Sequence, residues 1–384
     1  MKKKENKNQN KNGKRRKTGF KRFTRKWAVI FLTIVIVFSA MLVYSSLFPK
    51  EKLFKIFAAE GVLTLILFPT LYFYPFKNSR KIISLFISFI MIIFCVGGIY
   101  YVGSTMNFIS SITGQKGADR VNVTRQSFNV LITGMDTEGS IDEKSRSDVN
   151  MIATVNPISK EILLTSIPRD YYVLIEGKPG QEDKLTHSGL YGVQCTEETV
   201  EALTGIEINY YLKVNYSTLI TLVDSLGGID VDSDYDFYFT PDKSYHFKKG
   251  INHLNGDEAL KFARERYSFV DGDLQRNRDQ QKVLMGIIDK LTSNRKILFK
   301  YTSILNSLDD KIEMNMNKSE INALVRMQLV EMPRWKIKQQ AITGEISPIT
   351  KPCMSMGGEY ASVVLKDQDS INEAVDNIKK LEKK

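Results

Sequence analysis

Residues 128–170 read FNVLITGMDTEGSIDEKSRSDVNMIATVNPISKEILLTSIPRD, and this stretch decides the fold class. Three apolar runs, Phe128–Thr133, Val149–Val155 and Glu161–Ile167, are rich in Ile, Val and Leu and too short for core helices, so each is predicted to be a strand. Charged residues stand where the runs begin or end. Asp136 follows the first, Arg146 and Asp148 precede the second, and Arg169 and Asp170 follow the third behind Pro168. Open α/β sheets bind ligands at strand ends, so two carboxylates and two guanidiniums gathered there point to a metal and an anion. Neighbouring loops also form surface ion pairs of little energetic worth, and this stretch alone does not separate the two readings.

Downstream, strand-like Tyr171–Ile175, Asn209–Val214 and Ile229–Val231 alternate with helical Thr196–Leu203, which a Thr cap begins, and Tyr216–Leu226, which Gly227-Gly228 stops. That alternation predicts an α/β sandwich. Residues 232–252 read as a polar, aromatic loop or hairpin over the sheet. Asp257–Ala263, Arg295–Leu308, Asn317–Leu329 and Ser370–Lys384 read as helices, and Trp335–Ile342 as an edge strand.

Two further segments carry chemistry. Arg264-Glu-Arg266 puts two guanidiniums on one side if the chain is extended there. In the helix Asp273–Leu291, the apolar positions Val283, Leu284, Ile287, Ile288 and Leu291 form an inward stripe. Continued backwards, the stripe meets Gln280, Arg276 and Asp273, while Arg278, Lys282 and Asp289 take the outer face. Charge on a core-facing side needs partners, and a helix N-terminus itself favours a phosphate.

Working outward to the N-terminus, the formal charge of +11 proves to be local. Residues 1–26 hold 13 Lys or Arg and one Glu, leaving the remaining 358 residues at −1. The tail has little to bury and is predicted to be disordered, and a basic run before an apolar segment serves as a cytoplasmic topology signal. No helix-turn-helix, zinc spacing or phosphate-binding glycine loop accompanies it, so nucleic acid is not an expected partner. Three apolar segments follow, at about 27–48, 56–76 and 82–103, each long enough to cross about 30 Å of hydrocarbon. Glu60, about a turn from the end of the second, is expected to reach the interface. Three crossings from a cytoplasmic tail place the body outside the cell, after a polar linker at 104–124. Residues 125–384 then form one extracellular domain, with its motifs in 128–291. Cys195 and Cys353 lie in that body, and a disulfide between them is left open.

Asp136 and Asp148 offer the hard oxygens that Mg²⁺ (or Mn²⁺) takes, and Arg146, Arg169, Arg264, Arg266 and Arg276 offer planar donors for phosphate. Five arginines exceed the needs of one monophosphate and suit a diphosphate. Outside a membrane, the natural diphosphate is one whose lipid tail lies in the bilayer. Transfer at phosphorus needs charge neutralisation rather than a protein nucleophile, which fits a chain with no Ser/His/Asp or Cys/His arrangement.

The chain resembles the LytR-CpsA-Psr family in Gly134-Met-Asp136, Arg146-Ser-Asp148, Ser166-Ile-Pro-Arg-Asp170, Lys184 to His187, Val223 to Val231, Gly256 to Leu260 followed by Ala263-Arg-Glu-Arg266, and Gly272-Asp273 leading to Arg276, Arg278, Gln280 and Gln281. The resemblance implies an α/β/α domain with a central, mainly mixed sheet and an apolar tunnel for a polyprenyl chain. It implies transfer of an undecaprenyl-diphosphate-linked teichoic acid, capsular polysaccharide or similar glycan onto peptidoglycan. Asp136 and Asp148 match the Mg²⁺ ligands, and Arg146, Arg169, Arg264, Arg266, Asp273, Arg276 and Gln280 match the diphosphate-binding and catalytic set. Asn150 stands where the family usually has Thr. Hydrolysis of the lipid diphosphate, or a non-catalytic role as a transcriptional attenuator, are the alternatives the sequence leaves open.

Overall fold

The computed structural model describes residues 2–45, 48, 50–73, 76–112, 121–178, 182–293, 304, 306–308 and 311–384. It divides into two units, Met1–Met106 and Asn107–Lys384.

The first unit holds helices α1 (Lys2–Ser45) and α2 (Lys50–Tyr72) and most of α3 (Asn78–Ile112). Stretches long and apolar enough to cross a membrane lie at Thr18–Ser45, Lys50–Tyr72 and Asn78–Asn107, matching the three predicted segments. On α1 the buried side chains Ala28, Phe31, Val35, Phe38 and Leu42 recur every three or four residues, whereas Ile36 and Val43 face outward. An apolar outer face is what a lipid environment permits. Three expectations need correction. The basic tail is helical from Lys2, because Lys, Arg and Gln propagate a helix already nucleated by the apolar segment. The polar linker is helical as far as Ile112, and residues 113–120 of it lie outside the described residues. Glu60 is buried mid-helix because α2 starts at Lys50, and it accepts hydrogen bonds from Ser39 Oγ (2.8 Å) and Cys95 Sγ (3.7 Å) instead of reaching an interface.

The second unit is built on β1 (Phe128–Met135), β2 (Ser147–Asn156) and β3 (Glu161–Ile167), an antiparallel meander at the predicted places. Adding β4 (Tyr210–Asn215), β5 (Glu313–Met314) and β6 (Lys336–Ala341) gives a six-stranded sheet of order β5-β4-β1-β2-β3-β6. β4 runs parallel to β1 and β6 parallel to β3, so the sheet is mixed. Its strands read as near-continuous apolar runs because both faces are covered. Leu131, Ile152 and Leu163 pack on one face with α4 (Val193–Thr204) and α9 (Gln368–Glu382). Met151, Ala153, Ile162 and Leu164 pack on the other with α7 (Gly272–Ser293). The predicted α/β/α sandwich is the observed architecture.

Outside this second face, α5 (Tyr216–Leu226), α6 (Gly256–Arg264) and the paired strands Ile229–Ser233 and Gly250–Leu254 enclose a further apolar cluster around Phe237, Phe247 and Phe262. Residues 232–252 therefore pack on helices rather than on the sheet. The predicted Thr196 cap is also displaced. α4 starts three residues earlier after Gly192, and Thr196 is buried in the helix, accepting from Ser188 Oγ at 2.8 Å. α8 (Lys318–Glu331) is capped by Asn317, while most of the predicted helix Arg295–Leu308 lies outside the described residues.

α7 differs most from expectation. Its N-terminal half is buried nearly all round: Gln275, Arg276, Asn277, Asp279 and Gln281 are 6% exposed or less. Lys282 is not on an outer face but is tucked against Asp234 at 2.6 Å, and Leu291 at the end of the stripe is exposed. The helix is sandwiched between the sheet and the strand Ile229–Ser233, where a Cβ on Gly286 would lie 2.8 Å from Asp230 O. Gln281 satisfies two buried carbonyls, Leu164 O at 3.1 Å and Gln340 O at 2.6 Å.

Asp279 accepts from Gln275 Nε2 at 2.9 Å through Oδ1, but its buried Oδ2 has no partner among the described residues. Burial lifts its pKa from 3.8 to about 7, despite the nearby charges of Lys282 and Arg278. The native state keeps a proton that the unfolded chain releases near pH 4, so the associated stability is complete below that pH and is lost as pH rises through about 7. Asp279→Asn is expected to flatten the stability profile between pH 4 and 8 and to raise stability at pH 8 by up to about 4 kcal/mol. Thermal unfolding of the two detergent-solubilised proteins across this range checks it.

Candidate active site

Between the sheet and the outer helices lies a cavity of about 530 Å³. Ile132, Met151, Leu212 and Val214 form its floor, Leu219 and Leu222 of α5 one wall, and Val283, Leu284 and Ile287 of α7 another. Alternation along the strands explains the floor: every second residue of β1, β2 and β4 points to this side. Apolar walls without facing atoms forgo dispersion contacts, so the space suits an apolar guest.

The same cavity is polar at one end. Asp136, Asp148, Arg169, Arg264, Arg266, Arg276 and Gln280 all line it. Strand ends supply the first group. Asp136 follows β1 and donates its backbone N–H to Arg146 O at 3.0 Å, which sets it beside the start of β2. Its Oδ1 accepts from Tyr216 OH at 2.8 Å, at the start of α5, where Asn215 forms a capping box with Thr218. Asp148 accepts from Arg169 at 2.8 Å and from Thr186 Oγ1 at 3.3 Å. The usual Thr after this motif is here Asn150, which bonds into a buried Thr133, Ser147, Asn150 cluster, with Asn150 Nδ2 on Ser147 O at 2.9 Å.

Helix ends supply the second group. α6 stops at Arg264 and Glu265 is extended, so Arg264 and Arg266 both reach the cavity while the buried Glu265 carboxylate accepts from the backbone N–H of Arg266 (2.8 Å) and Ser268 (2.9 Å). Arg264 stacks on the Tyr216 ring at 4.7 Å and Arg266 on Tyr267 at 4.5 Å. A Cβ on Gly272 would meet Arg266 O at 2.4 Å, so only glycine lets α7 start this close to the arginine loop. The Asp273 that follows binds Arg276 at 3.0 Å and lies 3.9 Å from Arg266, both through Oδ1.

The two most buried arginines of this end differ in their electrostatics. Burial disfavours the charged form of Arg169, but Asp148 and Asp170 outweigh it and raise its pKa. Arg276 goes the other way, lowered first by burial and then by the neighbouring Arg169. Among the described residues neither Nε has a hydrogen-bond partner, although Arg169 Nε lies 3.6 Å from Asp170 Oδ2 and Arg276 Nε has no such neighbour. Unpaired buried guanidinium N–H groups are costly unless an anion meets them. Asp170 is already committed: burial pushes its pKa up, but the Lys184 hydrogen bond at 2.9 Å and the charges of Lys184, Arg169 and Arg276 hold it below the ordinary carboxyl value.

Of the residues singled out in the sequence, Asp136, Asp148, Arg169, Arg264, Arg266, Arg276 and Gln280 converge on one cavity, with Asp273 bonded at its edge. Arg146 does not join them; its side chain is exposed and lines no part of the cavity. Tyr216 was missed. Its only sequence signal is an aromatic immediately after a helix cap, which reads as packing. Here burial and the bond to Asp136 raise its pKa, so it remains a phenol that donates to the carboxylate and lies under Arg264.

A divalent ion fits the donor set on two counts. Asp136 and Asp148 present hard oxygens at the mouth, and Asp136 Oδ2 has no partner among the described residues. Mg²⁺ is commonly held by one or two carboxylates together with water and substrate phosphates. The group Asp183, His187 and Cys353 also has the composition of a metal site. Its carboxylate is saturated, however, by His187 Nδ1 (2.6 Å), Lys184 N (2.7 Å), Ser355 N (2.8 Å) and Ser355 Oγ (2.6 Å). Burial and the Asp183 charge push the Cys353 thiol up to about 11, keeping it protonated. The group is a hydrogen-bonded pin, and Cys195 and Cys353 are both free thiols.

The sequence profile of the LytR_cpsA_psr family matches residues 99–380. A protein from Bacillus cereus named polyisoprenyl-teichoic acid–peptidoglycan teichoic acid transferase TagU is 36% identical over 208 residues, which are 54% of this chain and 66% of that protein, just under two thirds of its length. A protein of the same name from Enterococcus faecalis is 32% identical over 258 residues, 65% of this chain and 83% of that one. Among solved structures, that of TagT bound to LI-WTA is similar with a TM-score of 0.55 and 26% identity, over 71% of this chain and 97% of that one.

Proposed function

Because the chain belongs to the LytR-CpsA-Psr family, we propose that it moves a teichoic acid or similar glycopolymer from a polyprenyl diphosphate carrier onto peptidoglycan. The observation that carries this reading is the union of an apolar cavity with four arginines at one end, one of which, Arg276, has a buried Nε–H without a partner among the described residues. That combination matches an amphiphile with a long apolar tail and two adjoining phosphates. Three apolar helices after a basic tail support a membrane anchor with a cytoplasmic N-terminus, which puts the second unit on the outer face.

In this mechanism the cavity holds the tail and excludes water, while Arg169, Arg264, Arg266 and Arg276 hold the diphosphate. An acceptor hydroxyl attacks the glycan-bearing phosphorus, the bond to the bridging oxygen breaks, and lipid monophosphate leaves. Charge spreads over the phosphoryl oxygens in such transfers, so guanidiniums fixed in advance contribute most of the catalysis. Tyr216 orients Asp136 and keeps Arg264 flat above its own ring. Asp136 and Asp148 would hold Mg²⁺, which supplies further neutralisation of the phosphate oxygens when bound.

Purified full-length protein, given a polyprenyl-diphosphate glycan and peptidoglycan, is expected to release lipid monophosphate and leave the glycan attached through a phosphodiester. Release at the same rate without peptidoglycan, with no attached product, would replace transfer by hydrolysis. Absence of both products would remove the reading altogether.

A further inference from the structure

A second cavity, of about 440 Å³, adjoins the first across the arginine group. Arg169, Arg266, Tyr267 and Arg276 line both spaces and so form a partition between them. Asp273 and Asn277 open only onto the second, on the first turns of α7, whereas Val283 and Ile287 further along the same helix face only the first. The Asn277 side chain is 5% exposed, lines this second space, and has no hydrogen-bond partner among the described residues. Its amide is open to the second space and can meet a hydroxyl or carbonyl of whatever fills it. Ile346 and Val270, both exposed, add apolar surface to the rim. Polar groups inside an apolar rim suit a sugar ring, which carries hydroxyls at its edge and C–H groups on its face.

We infer that this second cavity receives the acceptor, a pyranose of the wall polymer, and presents its hydroxyl to the diphosphate. The inference rests on the transferase reading above. Displacement at phosphorus brings the attacking and leaving oxygens roughly into line. With the lipid phosphate leaving toward the apolar cavity, the attacking hydroxyl must come from across the arginine partition, and the donor's own glycan departs to the side. The hydroxyl oxygen bonds to phosphorus, the bridging oxygen takes the electron pair away with the lipid phosphate, and the hydroxyl proton passes to Asp273. Both ion pairs of Asp273 use Oδ1, leaving Oδ2 to accept it. Asn277 and Ile346 are then positioning residues for the acceptor.

Asn277→Ala and Ile346→Trp test this in full-length protein, with a synthetic polyprenyl-diphosphate disaccharide as donor and an un-crosslinked peptidoglycan oligosaccharide as acceptor. Neither substitution removes a described hydrogen bond or a buried apolar contact, so thermal unfolding should match wild type. The expected result is an acceptor KM raised about tenfold with donor loading, read by mass spectrometry of bound lipid, unchanged. A parallel fall in donor loading would overturn the inference, because the cavity would then hold the donor glycan. An unmoved KM alongside wild-type transfer would overturn it alone. Wild-type protein that cleaves the donor but never modifies the oligosaccharide would overturn both this inference and the transferase reading.

Discussion

Arg276→Ala is expected to lower kcat/KM for glycan transfer by roughly 10³ to 10⁵-fold, the range typical of an arginine that neutralises a transferring phosphoryl group. Arg276 is the arginine the fold satisfies least. It is 6% exposed, its Nε has no partner among the described residues, and burial together with Arg169 lowers its pKa. Its one ion pair among the described residues, to Asp273 at 3.0 Å, involves a carboxylate 47% exposed. Removing one member of a buried pair is normally destabilising because the other is left charged and dry. Here water can reach the carboxylate left behind, so stability should hold or rise. Arg276→Lys should not restore the rate, since an ammonium cannot offer the planar fork that meets two phosphate oxygens. Steady-state kinetics and thermal unfolding of the three proteins check both parts. A tenfold loss or less in the alanine variant, or recovery by lysine, would take Arg276 out of the reacting centre.

The site was legible to different depths for physical reasons. Strands β1 to β3 declare themselves because each is buried on both faces and must be apolar throughout, and the charges at their ends stand out against that background. Arg264 and Arg266 were readable as a pair, but not the reason they converge: the intervening Glu265 is turned inward to hold a loop, and Gly272 lets α7 approach the Arg266 backbone. Helical periodicity placed Arg276 and Gln280 on the inner side of α7 correctly. It failed for Lys282, because a helix packed on two sides has no free outer face, and periodicity reports only the apolar side. Arg146 was grouped with its neighbours by sequence proximity and by the family resemblance, but it lies just before β2, and its exposed side chain lines no part of the cavity. The acceptor space was hardly legible: Asp273 was read as a site residue, but Ile346 joins it and Asn277 of α7 only through the tertiary fold.

Leu219→Trp is expected to empty the protein of lipid without unfolding it. Leu219 lines the apolar cavity from α5 and is partly buried against the neighbouring aromatic cluster. The cavity holds about 530 Å³ of space, so an indole can extend into it rather than into packed side chains. In a filled core the same change would overpack and cost about 1–3 kcal/mol. Here it restores dispersion contacts that the walls lack, and the unfolding temperature should stay level or increase. The guest loses what the indole occupies. Displacing a five-carbon stretch of tail forfeits about 4 kcal/mol at about 0.8 kcal/mol per carbon, or roughly 10³-fold in affinity. Mass spectrometry of lipid that co-purifies from membranes should therefore find little diphosphate glycan on Leu219→Trp. Arg276→Ala provides the contrast, because it keeps the tail's contacts and loses the headgroup's, so it should retain bound lipid while failing to react. If Leu219→Trp instead carries the wild-type amount of lipid, the tail lies elsewhere and the cavity is not its seat. If it loses lipid and also melts earlier, the volume was not free, and Ala263→Leu on the facing helix, which enters the same space with a smaller side chain, separates exclusion of the tail from damage to the fold.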